Sequence, residues 1–438
     1  MSSADDDARA ALERAFRAHH GRLVAALTRR FGAARLELSE NAVQEACVRA
    51  LEAWPEGAIP QRVDGWLLRV AHNLAVDAIR REDRHAPLEA LGPGAGAGDA
   101  AGPDPASASN SAPAPESNGS ASSLEPGADL DDDLRLIFLC CHPALARAAQ
   151  VALTLKVACG FTVGQIALAF LTEEKTLAQR IARAKQRLRQ EGARFELPAA
   201  DDLPGRLEPI LDVLYLVFNE GYSPTGGDDA VEEDLCAEAL RLARLLTARS
   251  ETATPAAEAL RALFCLQASR APARRADDGS LLLLQEQDRA RWDTELIDEG
   301  FAHLERAARG QEMSRFHLEA GIAACHAAAP SYQETDWPKI VFLYDALRAR
   351  SPSPVVEVNR AVAVAMTSGA LAGIDELDAI PERDLIGRYP YALAAYAELH
   401  ASLGRLDEAR AHLRRALACQ PSEAQRKLLE RKLAALDR

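Results

Sequence analysis

Residues 91–128 constrain this chain more than any other feature, because they cannot join a packed core. The window holds 7 Gly, 6 Pro, 7 Ser and 10 Ala, and no aromatic residue. Such a composition buries too little apolar surface to offset the entropy of ordering it. As a flexible coil it would span about 35 Å. The sequence therefore predicts two separately folded parts, 1–90 and 129–195, joined by a tether at 91–128. A second break falls in LPAADDLP at 197–204 and opens a third part, 200–438.

The composition predicts helices throughout. Ala, Leu and Arg dominate, and aromatic residues make up only 5%. Unbranched side chains lose little rotamer freedom in a helix. No apolar run is long enough for a membrane span, and the acidic start MSSADDDARA reads as neither a secretion signal nor a lipidation site. The net charge is −14, so the chain as a whole would not attract free nucleic acid. Any such contact needs a local basic face. Eight cysteines without a CxxC pair read as reduced thiols, and the expected compartment is the cytoplasm.

Beyond residue 200 helical patterns are separated by short breaks at 221–229, 271–279, 330–335, 351–354 and 381–383. That rhythm predicts stacked helical hairpins. Near the C-terminus, Gly404, Ala409, Ala416 and Pro421 have the spacing of a tetratricopeptide repeat. Gly404 would end one helix, the two alanines would allow close helix crossing, and Pro421 would stop the second helix. Trp337–Pro352 and Val355–Leu377 look like degenerate copies.

The stretch from Thr162 to Arg189 predicts a helix-turn-helix. Thr162 and Gln165 have capping-box spacing. A short turn at Leu171–Thr172 follows, with Thr172 expected to cap the next helix. In that helix Leu177, Ile181, Ala184 and Leu188 form one apolar stripe. The other face offers Lys175, Thr176, Gln179, Arg180, Arg183, Gln186 and Arg189. Residues 172–194 carry seven basic and three acidic side chains. Arg can pair with guanine edges or phosphates and Gln with adenine, so this helix is the candidate to enter a major groove. An amphipathic helix with a solvated basic face has the same pattern.

Upstream, SENAVQEACVRALEAW at 39–54 predicts a helix with one polar side, and 65–81 a second helix with Leu67, Val70, Ala71, Leu74 and Ala78 inward. WLLRVAHNLAVDAIRR at 66–81 resembles the promoter-reading segment of sigma factors of the extracytoplasmic-function type. The helix before it resembles the one that in this family docks on core RNA polymerase. The resemblance continues through CCHPAL at 140–145, AFLTEEKTLAQRIARAK at 169–185, FNEGYSPTGG at 218–227 and LLLLQEQDRARW at 281–292, motifs similar to a subgroup with a long tetratricopeptide-like extension. Two departures stand out. An acidic residue is usual near Asn41, and His72 is often Arg.

The resemblance implies an all-α architecture with a division of labour. Asn41, Gln44, Glu45 and Arg49 would bind core polymerase. Pro60, Gln61, Arg62, Val63 and Asp64 would line a pocket for an unstacked base of the −10 element, with Trp66, Arg69, Asn73 and Arg80 on the following helix. The 172–189 helix would read the −35 element of promoter DNA. Residues 200–438 would be a regulatory extension with a cytoplasmic protein partner. The competing reading is a DNA-binding regulator with a helical sensor domain that does not dock on polymerase. No enzyme, cofactor or membrane association is expected. Cys140-Cys141-His142, with Cys159 or His72, lacks zinc spacing. Asn219-Glu220 lacks the partner carboxylate of a sugar hydrolase and reads as a polar helix end.

Overall fold

The computed structural model describes residues 3–54, 59–85, 130–170, 172–222, 229–276, 280–381, 383–419 and 421–437. The expected tether at 91–128 and the turn residue Leu171 lie outside them. Among the described residues the fold is all-α, with one isolated bridge between Arg275 and Leu281 in place of a sheet. The chain divides into two compact units. One comprises residues 1–139, 157–160 and 188–195, and the other 140–156, 161–187 and 196–438.

The first unit is built on α1 (Ser3–Phe31), α2 (Leu36–Ala53), α3 (Val63–His85) and α4 (Leu130–Cys140). Helices α1, α2 and α3 pack on one another around Leu23, Val24, Leu27, Val43, Ala46, Leu67 and Ala71, all buried. α4 opens with Asp131, Asp132 and Asp133, a favourable placement of negative charge at a helix N-terminus. Asp132 pairs with Arg29 at 3.2 Å and Asp133 with Arg22 at 3.4 Å, tying α4 to α1. Gly21 marks a close approach: a Cβ there would lie 2.4 Å from the carbonyl oxygen of Ala158.

The second unit includes α5 (Arg147–Leu153) and the start of a short π-helix at Thr154–Ala158, whose last two residues belong to the first unit. Next come α6 (Val163–Ala169) and α7 (Glu174–Gln190), whose last residues belong to the first unit. It continues through α8 (Leu203–Tyr222), α9 (Asp229–Thr247), α10 (Pro255–Ala268), α11 (Thr294–Ala307), α12 (Arg315–Ala328) and α13 (Trp337–Arg350). It ends with α14 (Pro354–Ser368), α15 (Ala370–Ala379), the short α16 (Arg383–Ile386), α17 (Pro390–Ser402), α18 (Leu406–Ala418) and α19 (Glu423–Leu436). Of the breaks read from sequence, 330–335 lies between α12 and α13 and 351–354 between α13 and the first residue of α14; those at 221–229, 271–279 and 381–383 include residues outside the described ones.

Phe218 and Phe264 stack 4.2 Å apart at the centre of α8–α10. Toward the C-terminus three apolar clusters run in series. The first joins α12, α13 and α14, the second α14, α15 and α17, and the third α17, α18 and α19. Sharing one helix between successive clusters buries both faces of each hairpin, which no hairpin achieves alone. Gly404 has φ +74°, where a side chain is strained. The amide of Arg405 bonds back to His400 and that of Gly404 to Ala401, the paired pattern that closes a helix end. Ala409 and Ala416 are buried in the following crossing.

Candidate nucleic-acid interface

The candidate residues lie on two helix pairs. In α2 the residues Ala42, Val43, Ala46 and Ala50 face inward, which turns Asn41, Glu45 and Arg49 outward, with Gln44 half-buried. Arg49 and Glu45 pair at 3.6 Å across one turn while both stay exposed. Such a pair adds under about 1 kcal/mol, so folding does not require these side chains. Two apolar neighbours share the surface: Val48 is 49% exposed and Leu51 40%. A sequence search for polar docking residues passes over them. Their signal was present all the same, because Val48 lies on the same helical face as Asn41 and Glu45.

Pro55–Ala58 lie outside the described residues. After them Pro60 is half-buried, Gln61 and Arg62 are exposed, and Val63 and Asp64 are half-buried at the start of α3. Trp66 is half-buried because it packs edge-on against Trp54, ring centroids 5.5 Å apart. Trp54 itself is 3% exposed. The two indoles thus join the end of α2 to the start of α3. Arg69, Asn73 and Arg80 are exposed along one side of α3, with Arg80 3.9 Å from Asp77.

The inward face of α3 is rotated from the sequence expectation. Leu67 and Ala71 are fully buried, but Leu68 and Ala75 complete the stripe, while Val70, Leu74 and Ala78 are half-buried. α1 and α2 both contact α3, and two neighbours widen the buried arc beyond a single heptad seam. His72 stacks on Phe31 at 5.5 Å, so it does not replace the family's Arg as a surface contact.

In the second pair, Thr162 and Gln165 form the expected capping box: the Gln165 amide donates to the Thr162 hydroxyl at 3.1 Å, and the Thr162 amide to Gln165 Oε1 at 2.9 Å. The expectation for Thr172 fails. Its hydroxyl donates back to the Phe170 carbonyl at 3.1 Å, and α7 starts at Glu174, leaving Glu173 in the capping position. The stripe on α7 is as read: Leu177, Ile181, Ala184 and Leu188 are each at most 5% exposed. Lys175, Thr176, Gln179, Arg183, Gln186 and Arg189 are exposed, and Arg180 is half-buried. Arg189 reaches Glu37 of α2 at 3.4 Å.

No group of three ligating side chains converges among the described residues. Cys141 lies 3.6 Å from the Thr154 hydroxyl, and burial pushes its thiol up to about 11. Burial pushes Cys47 to about 11 as well. Neither thiol forms a thiolate readily. No helix among the described residues is long and apolar enough to cross a membrane.

Residues 16–85 match the family described as sigma-70 region 2. Residues 206–308 match a family of unknown function (DUF6596). An uncharacterized protein of Rhizobium meliloti is 40% identical over 383 residues, covering 87% of this chain and 86% of that protein. No solved structure matches.

Proposed function

We propose, from the premise that this chain belongs to the sigma-70 family as an extracytoplasmic-function-like member with a long C-terminal extension, that it directs core RNA polymerase to specific promoters under control of that extension. The sigma-70 family is a family of transcription factors, not enzymes. Its region 2 gives the chain a role in transcription initiation and implies binding to core RNA polymerase. The finer assignments are our reading. Asn41, Gln44, Glu45 and Arg49, with Val48 and Leu51, dock on polymerase. Residues 60–64 with Trp66, Arg69, Asn73 and Arg80 read and open the −10 element. The outer face of α7, as the second element of a helix-turn-helix, reads the −35 element.

One observation carries this reading: on α2, α3 and α7 the polar candidates point outward from a buried stripe. Most of their long Arg, Gln and Asn side chains are exposed and long enough to reach base edges. The net charge of −14 is then an advantage, because weak affinity for free DNA avoids non-specific trapping before polymerase supplies the remaining contacts.

We assign domains at 1–90, 129–195 and 200–438 with the tether at 91–128, and place the protein in the cytoplasm. The extension is a tetratricopeptide-like array that positions the DNA-reading elements and answers to a cytoplasmic protein partner. Two contacts support that role. Arg147 of α5 pairs with Asp212 of α8 at 2.8 Å, and the same carboxylate holds Arg315 of α12 at 2.9 Å, so the segment leading into α6 is braced by the extension. Run-off transcription with purified core polymerase tests the proposal. The full chain should give promoter-specific transcripts and the 1–195 fragment fewer. A fragment as active as the whole would exclude a positive role for the extension, and no transcripts from the full chain would exclude the initiation function.

A further inference from the structure

Several partly buried arginines of the C-terminal unit answer to a carboxylate. Arg244 and Arg261 share Glu299, and Arg360 bridges Asp345 and Glu376. Arg270, Arg274 and Arg289 do not: none makes an ion pair with a described residue, and their hydrogen bonds go elsewhere. Arg270 donates through Nε to Gln287 Oε1 at 3.3 Å. Arg274 donates to the Tyr222 carbonyl at 2.6 Å. Arg289 donates through one nitrogen to the carbonyls of His326 and Ala329, each at 2.6 Å.

The three cations gather around aromatic rings. The guanidinium carbons of Arg270 and Arg289 lie 5.6 Å and 4.6 Å from the Trp292 ring centroid, and that of Arg274 lies 3.7 Å from the Tyr222 ring. Ring faces offset only part of the cost of desolvating a guanidinium. Burial lowers the pKa of Arg270, and the charge of Arg274 lowers it further. Arg289 is lowered first by burial and then by Arg270. His326, which could only add positive charge, is held neutral: burial, then Arg270 and Arg289, push it down to about 3.

The cluster also has more donors than acceptors. Arg289 Nη2 and Trp292 Nε1 are buried donors with no acceptor, and Trp292 is 5% exposed. An unsatisfied buried donor usually costs on the order of 1–3 kcal/mol. All three arginines remain partly exposed. A phosphoryl group carries about −1.5 to −2 charge and three strong acceptor oxygens, which suits several guanidiniums converging with an indole N–H. A carboxylate would leave most of the positive charge uncompensated. A nucleic-acid backbone tracks along an exposed groove, whereas these cations are partly enclosed.

We propose that Arg270, Arg274 and Arg289, with the indole N–H of Trp292, form a binding site for a phosphoryl group, supplied as free phosphate or as a small phosphate ester. The site falls within the segment matching the family of unknown function. It goes beyond the role proposed above and holds whether or not the extension governs transcription.

Thermal unfolding of the full chain tests it, with inorganic phosphate titrated against sodium chloride at equal ionic strength. Phosphate should raise Tm saturably by about 2–5 °C and chloride should not. A nucleoside monophosphate that acts at tenfold lower concentration assigns the site to an ester, and equal potency assigns it to free phosphate. Arg289→Gln and Arg274→Gln should each weaken the phosphate effect at least about tenfold, and Arg309→Gln, on an exposed surface, should keep it. The wild-type titration stands alone should either variant fail to fold. Equal shifts in phosphate and chloride would overturn the proposal, as would preference for succinate or full phosphate binding by Arg289→Gln. A wild-type chain indifferent to phosphate but destabilised by Asp277→Asn with Asp278→Asn would assign the cations to the chain's own aspartates and overturn it too.

Discussion

The α2–α3 pair and the α10–α11 pair use charge in opposite ways. On α2 and α3 most charged side chains point outward, and Arg49 and Arg80 meet only a neighbour one turn away, Glu45 and Asp77; the exceptions are Glu37, which reaches Arg189, and Glu40, which is buried. On α10 and α11 they turn inward. Arg261 of α10 reaches Glu299 of α11 at 2.9 Å, the same carboxylate takes Arg244 at 2.6 Å, and His303 bonds Glu258 in a buried pair. The first pattern leaves a surface that costs nothing to present to a partner. The second spends its charges on the fold, because a buried ion must find its counter-ion inside. The contrast separates surfaces built to bind from surfaces built to hold, and Arg270, Arg274 and Arg289 stand out because they follow neither pattern.

The comparison can be broken most severely at an apolar position. Phe264 is fully buried against Phe218, and Phe264→Ala should cost about 3–5 kcal/mol, read as a lowered urea midpoint of the full chain. A loss under about 1 kcal/mol would mean that α8–α10 is not packed as described. On the binding side, Arg183→Ala should leave stability within about 0.5 kcal/mol and weaken promoter binding by the holoenzyme by about 1–3 kcal/mol, relaxing preference at one position if Arg183 reads a base edge. A drop in the melting temperature with binding intact would move Arg183 to the structural side. Glu45→Lys should act the same way on polymerase, lowering affinity for core enzyme by about 1–2 kcal/mol with an unchanged unfolding curve. Undiminished co-purification would remove this face of α2 from the docking surface.

The smallest effect sharpens the contrast through pH. Glu299 is held down to about 2, first by hydrogen bonding from Arg244 and then from Arg261. Its folded pKa lies below the unfolded one, so its contribution is complete above about pH 5 and fades as pH falls toward 2. Because solvent screens part of the pair, Glu299→Gln should cost about 1 kcal/mol near neutral pH. The gap between variant and wild type should narrow in acid. A gap independent of pH would mean that the carboxylate acts through shape and not through charge.

Much of this was legible in the sequence where local pattern decides structure. The α7 stripe Leu177, Ile181, Ala184 and Leu188 is buried as its spacing requires, and Gly404 with Pro421 brackets α18 as written. What escaped depends on distant neighbours. The rotation of α3 toward Leu68 and Ala75 follows from two packing partners, not one. Thr172 has the chemistry of a cap but sits one residue too early. The pairing of Asp132 and Asp133 with Arg29 and Arg22 spans a segment that periodicity cannot cross. Val48 and Leu51 read as ordinary helix residues until the buried face of α2 is known. For Arg270, Arg274 and Arg289 the sequence shows only three more arginines, since a missing carboxylate is visible only once the chain has folded.

The separation on α7 has an evolutionary consequence. Lys175, Gln179, Arg183 and Gln186 are exposed, and surface exchanges at such positions usually change stability by no more than about 0.5 kcal/mol. The stripe that seats the helix lies on its other side. If this face reads promoter DNA as proposed, gene duplication could alter the outer residues one at a time, each intermediate remaining folded, and so retarget a descendant to new promoters while its ancestor keeps the old ones.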